Sequence, residues 1–394
     1  MVNVLGGYRS LGGLTVVALL YVLSTANSLY GGRYRLRERF QTHGQHAFIY
    51  DLAAAAARLG IRLDIALDDP YSFPLTEPLR RHTTVLSVHI PRGTGLRSNG
   101  GEIPTGTDHD MAASTFPNAD MSAYDAFLVD VGPDDGLPQF PDNKFAVAVV
   151  HNPFQALSPA VCRRANQYLT LNTYSAREIA RRIPREKIFV CWQGIDLRRL
   201  TPWPTTEYST LDGNELRVLV SSRLDMEKGT MVGEVINRLA ADRSVDLTVL
   251  GDGSAFWPLS DRWGHRATFV NFVPSHSMHR FVPKFDVIVS SGRGVMEALA
   301  CGKGAVGVGR AYLGDVTQDN ILALREVNFS GLPGADIGDA ETVVDDVHAA
   351  AAQSPTLLRG LAEKYFDAEL FVRTMVRKVQ ECTHLSHARE RNEK

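Results

Sequence analysis

Between Phe285 and Gly302 the chain reads FDVIVSSGRGVMEALACG. The spacing predicts a buried strand over Asp286–Ser290, a tight Gly-Arg-Gly turn, and a helix from about Val295 that Gly302 stops. A strand entering a helix through glycines gathers backbone N–H groups at the positive end of the helix dipole. Such a point binds anions, and phosphate is its usual guest. Glu297, one turn into the helix, can accept hydrogen bonds from a diol such as a ribose. A plain βα crossover, with Glu297 as a helix-dipole partner, accounts for the same residues when the turn is taken alone.

A second set of residues stands in Val218–Gly229, VLVSSRLDMEKG. The strand ends at Ser222, and Arg223 and Lys228 follow it, five positions apart. Both cations therefore leave the carboxyl end of a strand, as the helix after Ser290 also does. A guanidinium fork with an ammonium point charge is a clamp suited to a diphosphate. The competing reading is a solvated pair, bridged to Asp225 and Glu227.

These residues need a frame, and the rest of the chain alternates strand and helix around them. Leu14–Ser24 reads as a first buried strand and Gly44–Leu59 as a helix stopped by Gly60. Further strands are expected at Arg62–Leu67, Thr83–Ile90, Asp125–Val131, Phe145–His151, Gln167–Asn172 and Lys187–Gln193, with a helix from about Ser175 to Arg182. Thr201–Asn214, with two prolines and an Asp-Gly pair, is the candidate linker. A second series of strands then begins, at Leu216–Ser222, Asp246–Gly251, Ala267–Phe272, Asp286–Ser290 and Ala305–Gly309. Repeated βα units imply parallel sheets covered on both faces. The fold class is α/β, with two Rossmann-like, doubly wound parallel-sheet domains facing a central cleft. Residues 1–200 are expected to form the first domain and 205–367 the second, with a last helix at about 368–386 expected to pack back on the first. Ligands of such sheets lie outside the carboxyl ends of the strands.

Two segments are less regular. Asn27–His43 alternates Arg33, Arg35, Arg37 and Arg39 with other residues, which suits a solvated loop or a segment reaching over an acidic ligand. Pro91–Met121 is rich in Gly, Thr, Ser and Asp and reads as a surface loop.

A chain of 394 residues is long enough for two or three domains, each with its own core. Its 44% hydrophobic and 22% charged residues are those of a globular protein, and the net charge of -2 argues against a nucleic-acid or anionic-membrane surface. The four cysteines (Cys162, Cys191, Cys301, Cys382) form no C-x-x-C pair, which fits a reducing, cytoplasmic setting. The twelve histidines form no H-E-x-x-H, so no metal is expected. Asp134–Asp135 and Asp345–Asp346 read as solvated turn and helix residues. Leu14–Ser24 is too short to span a bilayer.

Taken in order, the motifs resemble those of retaining GT-B glycosyltransferases (glycosyltransferase family 4, the group 1 type). Val218–Gly229 resembles their "G-R-L-x-x-E-K-G" element and Thr248–Gly253 their "L-x-G-x-G" strand end. Met296–Gly302, MEALACG, resembles "L-E-A-M-A-C-G", and Val190–Asp196, VCWQGID, resembles "I-P-N-G-V-D". Tyr174–Ala176 fits the family's serine after the preceding strand. The likeness covers most of residues 145–310, with weaker support from Gly44 to Leu59.

The resemblance implies a sugar transfer from a nucleotide-diphosphate sugar to an acceptor hydroxyl, with no metal and no cofactor. Arg223 and Lys228 would hold the leaving diphosphate, and His151, at the end of a first-domain strand, would lie near the donor sugar. Glu297 would bind the ribose, and Gly294, Val295 and Met296 would offer N–H groups to phosphate. Phe272 and Val273 would meet the base through main chain, and Gly44 would let a helix start approach the phosphates. The family has a first glutamate, in "E-G-F-G", that this chain lacks. Arg293 in the shortened turn would favour an acidic sugar or point at phosphate, and the sequence leaves both open. The alternatives are a non-catalytic sugar-nucleotide-binding partner and a GT-B sugar-nucleotide epimerase, which would need several cleft carboxylates. A dinucleotide oxidoreductase is disfavoured by the lack of G-x-G-x-x-G.

Overall fold

The computed structural model describes residues 18–23, 44–67, 76–87, 120–130, 144–151, 165–202, 215–225, 228–332 and 338–392. Asn27–His43, residues 91–119, Asp134–Asp135, Cys162, residues 203–214 of the expected linker and Glu227 lie outside them.

The first sheet contains β1 (Ala18–Leu23), β2 (Arg62–Leu67), β3 (Val85–Ser87), β4 (Ala126–Asp130), β5 (Phe145–Val150), β6 (Gln167–Thr170) and β7 (Ile188–Val190). They lie in the order β3-β2-β1-β4-β5-β6-β7, and every described pairing is parallel. The apolar Leu14–Ser24 stretch supplies β1, and Leu19 is fully buried. Among the described residues no helix is long and apolar enough to cross a membrane.

Strand residues here are apolar on both sides because both faces are covered. On β4, Ala126 and Leu128 face the core under helix α1 (Gly44–Arg58), while Phe127 and Val129 face a second core with Tyr124, Ile179 and Ile183. That alternation is the two-residue period of a strand. Helices α2 (Thr76–Leu79) and α3 (Thr173–Ile179) belong to the same half, and the Asn172 side chain caps α3 by accepting from Ser175 N–H at 2.7 Å.

The second sheet runs β10-β9-β8-β11-β12-β13, from β8 (Leu216–Ser221), β9 (Val245–Leu250), β10 (Ala267–Val270), β11 (Val287–Ser290), β12 (Gly304–Val308) and β13 (Tyr312–Asp315). Its cores also lie on both faces. Leu219 and Ile288 pack with α7 (Arg293–Ala300) and α10 (Pro355–Tyr365), while Val218, Val220, Val287 and Val289 pack with α4 (Gly229–Ala241), α5 (Phe256–Trp263) and α9 (Val343–Ala352). Two short helices, α6 (Met278–Phe281) and α8 (Ile321–Glu326), complete this half.

β13, unexpected from the sequence, runs antiparallel to β12 and closes that edge. It is four residues long and enters through a bulge, too brief for its alternation to stand out. Asp346 differs from the solvated residue anticipated: its Oδ2 accepts from Tyr312 Oη at 2.5 Å and Thr342 Oγ1 at 2.6 Å. Burial first, and then that carboxylate, push the Tyr312 phenol well above its ordinary pKa.

Several contacts join the two halves. Ile195 and Asp367 form a parallel bridge, with Ile195 N–H donating to Phe366 and Ala368 N–H donating back to Ile195. From that crossing the long helix α11 (Ala368–Asn392) lies against α1, and Phe371, Val372, Met375, Val376 and Val379 enter the core beneath it. Arg58 of α1 ties the seam, reaching Asp196 at 3.0 Å and Glu369 at 2.8 Å. Cys191 and Cys301 are buried thiols, each pushed up to about 12 by desolvation.

Candidate functional site

Register builds the site before any side chain does. Ser221 of β8 lies beside Ser290 of β11 and Leu250 of β9, and Leu250 lies beside Val270 of β10. Four carboxyl ends therefore share one rim, and the chain leaves it through Ser222–Arg223, Ser291–Gly292, Gly251–Asp252 and Asn271–Phe272. The Ser290 hydroxyl fastens β11 to β8 by donating to Ser221 O at 2.6 Å.

Helix α7 begins at Arg293, two residues earlier than its sequence suggests. Gly292 takes φ 54°, ψ -121°, a backbone that side chains resist, and this lets the chain turn at once into the helix. Gly294 meets the Ser290 hydroxyl so closely that a Cβ there has no room, and its N–H donates to Ser291 O at 3.2 Å. Val295 and Met296 send their side chains into the core, so only their main chain faces the turn.

Lys228 and Arg223 part company at this rim. Lys228 reaches from the loop after β8 across to the loop before α7, donating from Nζ to Ser291 Oγ at 2.8 Å. Arg223 is exposed and meets Asp225 at 3.1 Å, the neighbouring carboxylate allowed for in the sequence. Phe272 is 38% exposed beyond β10, and Val273 packs beside the core.

Arg293 takes neither direction left open by its position in the turn. Its Nη2 donates to Asp51 Oδ2 at 2.6 Å and its Nε to Glu297 Oε1 at 2.7 Å. Asp51 belongs to α1 of the other domain and also accepts from Arg199 Nη2 at 3.1 Å. Side-chain exposures are 10% for Arg293, 1% for Asp51 and 6% for Glu297. Burial works against the Arg293 charge, yet the two carboxylates outweigh it and raise the guanidinium pKa. Glu297 therefore sits one turn into α7 with one oxygen already engaged.

The first-domain residues lie at the start of α1 and after β5. Gly44 opens α1, and His151 follows β5 with its ring edge-on to Phe48 of α1 at 5.2 Å. The structure thus brings Lys228, Ser291 and Gly294 together at the start of α7, with Glu297 one turn on and held by Arg293.

Asp51, Arg199, Ser291 and Asn328 were missed in the sequence. Asp51 did carry a signal, being the one acid in GQHAFIYDLAAAAARL. Asn328 carried none: its φ of 54° and the 49° of Phe329 bring its amide beside Gly292, a result of chain path alone.

No family model and no curated protein matches the sequence. Solved structures do match it in shape. One is HepE of Anabaena in complex with UDP and glucose, at 16% identity and a TM-score of 0.59, covering 93% of this chain and 100% of that one. Sucrose-phosphate synthase of Thermosynechococcus elongatus matches at 15% identity and 0.56, over 92% and 98% of the two chains. A glycosyltransferase of Rickettsia africae matches at 13% identity and 0.54, over 94% and 99%. Two doubly wound Rossmann-like domains, matched over nearly their whole length by these enzymes, give this chain the GT-B fold.

Proposed function

We propose that the protein is a retaining, metal-independent glycosyltransferase that moves a sugar from a nucleotide-diphosphate sugar to an acceptor hydroxyl. The reading is supported most by the Lys228 Nζ–Ser291 Oγ contact of 2.8 Å, which holds a cation beside the start of α7. HepE has been solved with UDP and with UDP-glucose, so a uridine diphosphate sugar is the first donor to try. Residues 205–367 would bind that donor and residues 1–200 the acceptor, in the cytoplasm.

In the proposed reaction the anomeric C–O bond breaks and its electron pair leaves with the diphosphate. Positive charge builds on the sugar ring. Lys228 and the N–H groups of Val295 and Met296 face the diphosphate, and Arg223 swings from Asp225 to join them. The Gly294 N–H, expected from the sequence to meet phosphate, is taken by Ser291 O. Fixed donors at a point of developing charge lower the barrier by about 3–4 kcal/mol each. The acceptor oxygen bonds to the anomeric carbon on the face the diphosphate leaves, and the departing phosphate takes its proton, so the configuration is retained. His151 borders the sugar, Phe272 and Val273 meet the base, and Gly44 admits phosphate near α1. Arg and Lys supply the positive charge that a metal supplies elsewhere.

A second reading, a non-catalytic sugar-nucleotide-binding partner, is favoured by the engagement of Glu297 with Arg293. Thermal shift with UDP, GDP and ADP, followed by assay of free nucleoside diphosphate released from the matching donor with and without acceptors, separates the two. Binding without release would overturn the transferase. Release that grows with an acceptor supports it.

A further inference from the structure

Asp51 is buried on α1 and donates nothing, yet it collects two arginines. Arg199 Nη2 reaches Oδ1 at 3.1 Å and Arg293 Nη2 reaches Oδ2 at 2.6 Å. Arg293 then passes the constraint to Glu297 through its Nε, at 2.7 Å. Two carboxylates face two guanidiniums, so the cluster is neutral as a whole and no member can be removed without stranding a buried charge.

Three features set this apart from packing alone. An apolar cluster joins two elements at less desolvation cost than four charges do, so charges are retained where direction matters. Here they fix direction: the planar guanidinium holds Glu297 by Oε1, which sets the orientation of the carboxylate. The cluster also crosses between domains, since residue 51 and residue 293 are separated by 242 positions. Finally, among the described residues Arg293 Nη1 is buried with no acceptor, and Arg199 Nε is likewise unmatched. Buried donors without partners are costly, a cost that an apolar contact between the same helices would not carry.

We infer that Asp51 is a positioning residue for the nucleotide: acting through Arg293, it orients the Glu297 carboxylate toward a ribose hydroxyl and couples α1 of the first domain to the ligand held by the second. This rests on the proposed reading of Glu297 as the ribose acceptor.

The test is calorimetry on the full chain and on Asp51→Asn, with UDP, GDP and ADP and the 2′-deoxy form of each. The parent should prefer the ribose form of its nucleotide by roughly tenfold, as for loss of a hydrogen bond to a charged group. In the variant that preference should fall toward one. Parallel weakening of both forms, with the preference kept, would reduce Asp51 to structural support and overturn the inference. No binding of any nucleotide by the parent, or binding with no preference for ribose, would overturn the donor reading itself. Should the variant fail to fold, amide hydrogen exchange of the parent with and without the bound nucleotide decides. Ligand-dependent protection in residues 47–55 as well as 293–300 supports the coupling, and protection in 293–300 alone overturns it.

Discussion

Arg223 and Arg293 both follow the carboxyl end of a strand in the same sheet, and they lead opposite lives. Arg223 keeps 49% of its side chain exposed and shares one ion pair with Asp225, itself 34% exposed. In water-like surroundings such a pair is worth about 0–1 kcal/mol, so the guanidinium is easily recruited by a better anion. Arg293 is 10% exposed and holds two carboxylates, one of them from the other domain. Breaking a buried pair leaves a charge with neither water nor partner, at about 3–5 kcal/mol. Arg223 can therefore exchange its partner at little cost, and Arg293 is fixed in place. The difference comes from depth below the rim, not from residue type.

The comparison can be broken by substitution. Arg293→Met should have the largest effect on the fold, lowering stability by about 3–5 kcal/mol because buried Glu297 loses its Arg293 partner and Asp51 keeps Arg199 alone; chemical denaturation measures it. An undiminished urea midpoint would mean that the cluster is not buried in solution. Lys228→Ala, and then Arg223→Ala, should leave stability within about 1 kcal/mol of the parent. Both should cut donor turnover about 100-fold, as loss of one preorganised donor does. Turnover within a factor of a few of the parent would remove them from the leaving-group site. Glu297→Gln should weaken nucleotide binding by roughly tenfold, read by calorimetry, and also lower stability, because Arg293 loses one of its two carboxylates.

The smallest effect sharpens the contrast from the opposite end of the sheet. Burial opposes the Asp286 charge, but Arg217, donating at 2.7 Å and 3.0 Å, more than offsets this and holds the carboxyl below its ordinary pKa. A carboxyl depressed in the folded state binds fewer protons there than when unfolded. Its stabilisation is present above the unfolded value and is lost as pH falls through the folded one. The gap in urea midpoint between the parent and Asp286→Asn should thus be widest at neutral pH and close as pH drops below about 4. A gap unchanged with pH would mean that the ion pair does not form.

Much of the framework is local in origin and could be read without coordinates. Continuous apolar runs such as Phe145–Val150, buried at every position, mark strands covered on both faces. The glycines of the Ser290–Gly294 turn and the cations Arg223 and Lys228 announce themselves by type and spacing, because a turn backbone and a charge are properties of single residues. Short pieces were harder: β13 has too few residues for a period, and helix α7 starts earlier than its apolar run because Gly292 turns the chain there.

Residue order alone determined two βα series and placed an Arg, a Lys and a glycine turn at strand ends. It could not determine partners. Whether Arg293 meets a ligand or a carboxylate depends on which helix of the other domain packs against it, and that helix lies 242 residues away. Lys228 finds Ser291 across 63 residues for the same reason. Pairing energy depends on distance and burial in three dimensions, and both are set only when the two sheets have folded and met.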